Sequence, residues 1–211
     1  MDTFLTSIQE DILREIGNIG AGNAATSLSQ LLRKKIDMEV PSIRIVALNE
    51  LIEQIGGPEQ IIAATVFRVE GDAPGTVYFI MALKEAENLV HEILQDDIAI
   101  FDPETMRQNE MAISVLKEIG NILTGAYLSA LSDFTRLDMR PSIPYLGIDM
   151  AGAVIVDGLL ELSHVIDYAL IIDTKISSHE PTNGIKGQFF FIPDADSFNK
   201  LFTSLGINEY E

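Results

Sequence analysis

Residues 11–22 read DILREIGNIGAG, and residues 114–125 repeat the polar pattern as SVLKEIGNILTG. The two copies lie 103 residues apart and match without a gap. Four positions correspond, since Asp11, Glu15, Asn18 and Pro41 match Ser114, Glu118, Asn121 and Pro144. A polar spacing that occurs twice in register indicates one task performed at two places.

Both copies have the periodicity of an amphipathic helix. Asp11, Glu15, Asn18 and Gly22 occur at i, i+4, i+7 and i+11, so they share one face, and the Glu and Asn are expected to point outward. The opposite face is expected to be buried and comprises Leu13, Gly17, Gly20, Ala24, Leu28 and Leu31 in the first copy and Leu116, Gly120, Leu123, Tyr127, Leu131 and Phe134 in the second.

Three glycines lie within the first of these helices, where each costs roughly 1 kcal/mol relative to alanine. We expect Gly17 and Gly20 to allow a neighbouring element to approach closely. Gly22 lies on the face of Glu15 and Asn18, where the missing side chain leaves room for a partner.

The composition limits the functions that the chain can have. The sequence has 211 residues, a net charge of -18 and a pI near 4.4, which argues against binding nucleic acid or an anionic membrane. Because it contains no cysteine, disulfides and thiolate metal sites are excluded. It shows neither a signal peptide nor an apolar run of the roughly twenty residues that span a bilayer. We expect a cytoplasmic protein.

The remaining pattern predicts the same order of elements in each half. In the first half we predict helices at about residues 8–32, 48–55 and 84–94, a strand at residues 42–46, and a hairpin of residues 61–69 and 76–82. In the second half we predict helices at about residues 104–134 and 194–205 and a hairpin of residues 167–176 and 187–192. The acidic residues 95–103 are the expected boundary.

This order predicts an α+β fold in which two pseudo-symmetric halves share a largely antiparallel sheet, with both long helices on one face. Residues 1–211 would form a single domain made of two repeats, about 1–96 and 104–211. The halves differ in the middle, because residues 147–162 are almost wholly apolar and residues 49–54 are polar. This difference has two alternative explanations. The apolar segment is buried, or it forms a helix whose exposed apolar side binds a protein partner.

Several catalytic chemistries do not fit the sequence. The three His residues stand in separate segments without acidic neighbours at ligand spacing, which disfavours a zinc site. A thiol nucleophile and a Gly-x-Ser-x-Gly elbow are both missing. The glycines of residues 17–22 lie inside a helix, with no Lys-Ser or Lys-Thr after them, which disfavours a phosphate-binding loop.

The repeated Glu and Asn indicate another chemistry. A carboxamide can donate one hydrogen bond while it accepts another, so it can hold an attacking water in line with a phosphorus atom. A carboxylate one turn earlier can pair with Lys or Arg on a substrate protein. An ordinary solvated surface explains one isolated Glu and Asn, but the recurrence argues against that explanation.

The double signature of Asp or Ser, Glu, Asn and Pro resembles the CheC family of chemotaxis phosphatases, which includes CheX and the phosphatase part of the flagellar switch protein FliY. The similarity covers essentially the whole chain. It implies hydrolysis of the aspartyl phosphate on the response regulator CheY. By motif match, Glu15 and Glu118 would contact a Lys of the regulator, and Asn18 and Asn121 would enter its active site and orient the water.

The resemblance also has implications for cofactors and partners. The metal would be the Mg²⁺ of the bound regulator, with no cofactor held by this chain. The receptor deamidase CheD would bind and raise the activity, and residues 148–162 are our candidate for its docking surface. Two active sites are expected, of undetermined relative strength because Asn23 is replaced by Ala126. The alternatives are a non-enzymatic adaptor that sequesters CheY or CheD, and a structural subunit of the flagellar switch.

Overall fold

The computed structural model describes residues 6–94, 102–159, 168–178 and 184–206. The helices are α1 Ser7–Leu32, α2 Leu51–Gln54, α3 Leu83–Leu94, α4 Pro103–Gln108, α5 Glu110–Thr135, α6 Ala151–Leu159 and α7 Ala195–Ser204, with a 3-10 turn at Leu48–Glu50. The strands are β1 Ile36–Glu39, β2 Ile43–Ala47, β3 Ile61–Gly71, β4 Gly75–Ala82, β5 Met139–Pro141, β6 Tyr145–Met150, β7 Tyr168–Ser178 and β8 Ile185–Pro193.

The eight described strands form one antiparallel sheet in the order β1-β7-β8-β4-β3-β5. The two remaining strands lie at the edges of the sheet. Strand β2 pairs with β7, as β1 does, and strand β6 pairs with β3, as β5 does. The short strands of each half therefore complete the long strand of the other half, and β4 and β8 meet at the centre. This arrangement confirms the predicted α+β class and the two pseudo-symmetric halves that share a sheet.

Both faces of the sheet are covered. The two central strands are buried almost continuously along their length, as expected for strands that pack on both sides. One core lies between the sheet and the helices α1 and α5, which confirms that both long helices pack on the same face of the sheet. The other core lies under α2 and α6.

Burial accounts for the apolar start of the middle segment, because Ala151 and Ile155 of α6 are fully buried in the second core. Residues 160–162 of that segment lie outside the described residues, as does most of the predicted boundary at residues 95–103. The predicted hairpins are present as β3–β4 and β7–β8. Among the described helices, none is both long and apolar enough to cross a membrane.

The prediction of one helix at residues 104–134 was wrong, because the chain breaks at Asn109. This residue adopts an extended conformation, and its side chain accepts a hydrogen bond of 3.0 Å from the backbone N–H of Ala112. A side chain that caps the next helix in this way satisfies a donor that would otherwise lack a partner, so it favours a new start over a continuous helix.

The buried stripes were predicted correctly except at their ends. Leu31 is 50% exposed and Phe134 is 42% exposed, although both were expected in the core. Both lie in the last two turns of their helices, beside residues that are still covered, since Leu32 packs against the core and Thr135 is buried. The predicted face was therefore right, and the prediction was wrong only in placing Leu31 and Phe134 inside its buried part.

Candidate functional site

Glu15 with Asn18 and Glu118 with Asn121, called here the Glu/Asn pairs, lie at matching places in α1 and α5. Both helices have 26 residues, and their N-caps, Thr6 and Asn109, keep the spacing of 103 residues found in the sequence. Their C-caps, Arg33 and Arg136, also keep it, and both have left-handed backbone conformations with φ of 52° and 62°. The two pairs thus stand at the same depth in two helices of equal length.

All four side chains of the Glu/Asn pairs are exposed. Within the described residues, no hydrogen bond or ion pair engages any of them. Their polar atoms are therefore available to another molecule, as the sequence predicted for this face. In the described part of the chain, no group of three or more His, Asp or Glu side chains is arranged to hold a metal ion.

The opposite side of α1 is fixed by close contacts at two glycines. A Cβ atom at Gly17 would lie 2.5 Å from Cδ1 of Ile43 and 3.3 Å from Cγ1 of Val40. A Cβ atom at Gly20 would lie 2.5 Å from Cδ1 of Tyr127 and 3.2 Å from its Cα. These distances confirm that Gly17 and Gly20 permit close approach of neighbouring elements.

Tyr127 of α5 connects both long helices to the sheet. Its ring contacts α1 at Gly20 and lies 5.0 Å from the ring of Phe189 in β8. Its hydroxyl lies 2.9 Å from the hydroxyl of Thr174 in β7, in a fully buried hydrogen bond. Burial raises the pKa of Tyr127 to about 12. This residue therefore links α1, α5 and the sheet, which together support the Glu/Asn pairs.

The Asn side chains have free space next to them. Gly22 and Gly125 follow Asn18 and Asn121 by four residues, so each lies one turn further along the same face. At both glycines a Cβ atom would meet nothing within 4 Å. Neither glycine is required by packing inside the protein, which agrees with the prediction that Gly22 leaves room for a partner.

The proline of the sequence motif lies in a connection that runs along the helix. Pro41 is exposed between β1 and β2, and Val40 before it packs against α1 at Gly17, the residue next to Asn18. In the second half, Pro144 lies between β5 and β6, with Ile143 89% exposed before it. The Pro belongs to the surroundings of the site and adds no polar group to it.

The two sites differ in their charged neighbours. Nη1 of Arg14 lies 3.1 Å from Oδ1 of Asp11, so the first site carries an ion pair. In the second copy Ser114 replaces Asp11, and Lys117 occupies the position of Arg14. At the position that corresponds to Asp11, the second site therefore has no carboxylate to pair with Lys117.

The second site also borders a cleft that sequence reasoning missed. The cleft has a volume of about 490 Å³ and is lined by residues from α4, α5, β6 and α6, among them Lys117, Tyr145 and Val154. Tyr145 is 69% exposed and matches Ser42 in the first half. The difference is visible in the sequence, but the repeated motif consists of positions at which both halves carry similar residues.

Comparison with known proteins supports the similarity of the two motif segments to one family. A family model described as the CheC-like family matches residues 8–45 and 111–147, the segments that contain the Glu/Asn pairs. The CheY-P phosphatase CheC of Bacillus subtilis strain 168 is 45% identical over 198 residues, which make up 94% of this chain and 94% of that protein.

The fold is shared with flagellar switch proteins. FliY of Thermotoga maritima has a TM-score of 0.69 at 19% identity, covering 97% of this chain and 99% of the FliY chain. The middle domain of FliM from H. pylori has a TM-score of 0.66 at 12% identity, covering 95% and 99%. At such low identities the likeness concerns the fold alone, whereas the match to the Bacillus protein extends over nearly the full length of both chains. This chain therefore belongs to the CheC-like family.

Proposed function

We propose that this protein is a phosphatase that hydrolyses the aspartyl phosphate of the response regulator CheY. The observation that carries the proposal is the presence of two exposed Glu/Asn pairs, at matching places in two equal helices, without partners among the described residues. The name of the Bacillus subtilis relative, CheY-P phosphatase CheC, supports the assignment of substrate and reaction.

In this mechanism each Asn positions a water molecule. The carboxamide accepts a hydrogen bond from the water and donates one to an oxygen near the phosphoryl group, which places the water in line with the phosphorus atom. The water oxygen forms a bond to phosphorus while the bond to the aspartyl oxygen breaks. The products are inorganic phosphate and the free carboxylate of the regulator.

Each Glu docks the regulator. Glu15 and Glu118 lie one turn before Asn18 and Asn121, and an ion pair from them to a Lys of CheY would fix the direction from which the Asn enters. The regulator would bring its own Mg²⁺, which neutralises charge on the phosphoryl group. Positioning by the Asn is therefore the main contribution of this chain.

The test of the catalytic role is phosphate release from phosphorylated CheY. Asn18→Ala and Asn121→Ala should each lower kcat, and the double variant should lose nearly all turnover. Asn199→Ala is the matched control, because Asn199 is an exposed Asn of α7, outside the two helices that carry the Glu/Asn pairs. Full turnover by the double variant would refute the mechanism.

The docking role is tested by charge reversal. Glu15→Lys together with Glu118→Lys should weaken binding of CheY, since each Lys would repel the Lys of the regulator. Glu53→Lys is the control, because Glu53 is exposed on α2 at the opposite face of the sheet. Unchanged affinity of the Glu15→Lys, Glu118→Lys protein would remove the docking role.

The main alternative is an adaptor that sequesters CheY or CheD without catalysis. An adaptor would lower the concentration of free phosphorylated regulator only in proportion to its own amount, because it binds the regulator without hydrolysing it. Trace protein mixed with a large excess of phosphorylated CheY separates the two, because only an enzyme dephosphorylates many equivalents. A structural role in the flagellar switch is a weaker alternative, and the fold shared with FliM is compatible with it.

Three further expectations belong to this proposal. CheD is expected to dock on residues 148–162 and to raise the phosphatase activity. Residues 1–211 are expected to act as a single CheC-like domain of two repeats, about 1–96 and 104–211, since strands of both halves share one sheet. The protein is expected to work in the cytoplasm.

A further inference from the structure

One exposed apolar side chain precedes each Glu/Asn pair at the same place. Ile8 is 71% exposed in α1, and Met111 is 60% exposed in α5. Both are the second residue of their helix, and they are 103 residues apart, as are the pairs themselves. Each stands seven residues before its Glu, which is two helical turns along the same face.

The two residues extend the face that carries the Glu/Asn pairs. From Ile8 to Gly22 the first face runs over 14 residues, or about 21 Å of helix, and the second runs equally far from Met111 to Gly125. This length fits one side of a standard protein interface. Neither Ile8 nor Met111 is part of the two cores of the described residues.

Single exposed apolar residues are common on protein surfaces and need no explanation. Here the recurrence needs one, because the chemical character persists at the same position although the residue changes from Ile to Met. Leu31 and Phe134 form another repeated and exposed pair, but they extend the inner face of their helices and not the face of the Glu/Asn pairs. They therefore provide a control of the same chemical type.

The charges on this face restrict what can cover it. Glu15 and Glu118 are exposed on it, and Glu110 stands beside Met111. A second copy of this chain would bring carboxylates against carboxylates, and an anionic membrane would repel a protein with a net charge of -18. The face instead fits a protein with a basic group opposite the Glu and an apolar patch about 10 Å away.

We propose that Ile8 and Met111 are apolar anchors that bind the receiver domain of the response regulator beside each Glu/Asn pair. This inference rests on the proposed function, which identifies the regulator as the protein that occupies the face. The anchors act in binding and do not touch the reacting atoms. They therefore affect the concentration of regulator needed for turnover, and they leave the chemical step unchanged.

The test combines the variants Ile8→Ala and Met111→Ala in one protein. Phosphate release from phosphorylated CheY should show KM raised roughly tenfold, as expected when each site loses the contact of one apolar side chain, with kcat unchanged. Leu31→Ala with Phe134→Ala should leave both values unchanged. Affinity for CheY carrying beryllofluoride, measured by calorimetry, should fall by the same factor in the anchor variant only.

The possible failures are distinct. Unchanged KM and affinity in the anchor variant, while Asn18→Ala with Asn121→Ala abolishes turnover, would overturn the anchors and leave the phosphatase intact. If the wild-type protein releases no phosphate, the phosphatase proposal fails, and the calorimetric comparison alone decides about the anchors. If sedimentation shows a wild-type dimer that the anchor variant loses, the face binds a second copy and the proposal is overturned.

Discussion

Replacement of Gly22 and Gly125 by Ala should make the protein more stable and less active. Both glycines lie within helices, and the added methyl groups would meet nothing within 4 Å inside the protein. Alanine is favoured over glycine by roughly 0.8–1.0 kcal/mol per position in a helix interior, so the double variant should gain about 2 kcal/mol. For a chain of this size that corresponds to a rise in Tm of roughly 4–8 °C.

The loss of activity has a separate cause. Each methyl group would stand one turn beyond Asn18 or Asn121, on the face where the regulator approaches. A regulator that must bring its phosphoryl group to the Asn would be held away by about the width of a methyl group. Because a misplacement of about 1 Å can cost roughly a hundredfold in rate, turnover should fall clearly.

Thermal unfolding followed by circular dichroism, together with phosphate release from phosphorylated CheY, measures both effects. Gly20→Ala is the matched control, because the same substitution there brings the new Cβ within 3.2 Å of the Cα of Tyr127 and should lower Tm. A Gly22→Ala, Gly125→Ala protein with raised Tm and full turnover would refute the role of these glycines as clearance. A lowered Tm would refute the view that their surroundings are open.

Asn109→Ala removes the cap of α5 and should lower the free energy of unfolding by about 1 kcal/mol, measured by urea titration. An unchanged midpoint of the urea unfolding transition would contradict the assignment of Asn109 as the residue that starts the helix. Tyr127→Phe removes the buried hydrogen bond to Thr174 and should cost about 1 kcal/mol at neutral pH. The wild-type protein should also lose stability between pH 10 and 12, because burial raises the pKa of Tyr127 and of Tyr78 to about 12 and the unfolded chain ionises near 10. Between these pH values the folded state holds more protons than the unfolded state, so this contribution to stability is complete below pH 10 and falls as the pH rises. In Tyr127→Phe the free energy of unfolding should fall less steeply with pH, by up to about 1.4 kcal/mol per pH unit. An equal slope in both proteins would contradict the role of Tyr127.

The helices and the fold class could be predicted because they depend on local patterns. The alternation of buried and exposed positions in α1 and α5 follows the sequence almost to the end of each helix. The exchange of short strands between the halves is a long-range choice, because β1 pairs with β7 across more than a hundred residues. The strands β1 and β5, with 4 and 3 residues, are too short to give a clear alternating pattern.

The break at Asn109 shows another limit of the sequence. Gln108, Asn109 and Glu110 are all compatible with a helix, so the pattern of residues 104–134 predicted a continuous one. The cap separates α5 from α4, and Arg107 of α4 donates to the backbone oxygen of Ile148 in β6 at 2.7 Å, a contact that holds α4 against the sheet. Tertiary contacts of this kind override a weak local preference.

The Glu/Asn pairs could be predicted because identical residues recur at one offset. Ile8 and Met111 could not be predicted in this way, because they differ from each other and because the sequence gives no signal that an apolar residue is exposed. The offset also changes along the chain, since β3 and β7 begin at Ile61 and Tyr168, 107 residues apart. Beyond the middle segment, therefore, residue matching at a constant offset no longer finds structurally equivalent positions.

Each long helix packs against residues of the other half, so the two sites depend on the same buried contacts. This dependence limits which substitutions can affect one site alone. α1 packs at Gly20 on Tyr127 of the second half, and α5 packs at Gly120 on Thr65 in β3 of the first half, where an added Cβ would lie 2.7 Å from Cβ of Thr65. A substitution at either buried contact is expected to displace both helices, so it would lower activity at both sites together. Only exposed changes such as Asn18→Ala and Asn121→Ala act on one site, because their side chains touch nothing that supports the other. The relative strength of the sites must therefore be measured with these two variants, and a change in Tm of either one would show that the sites had not been separated.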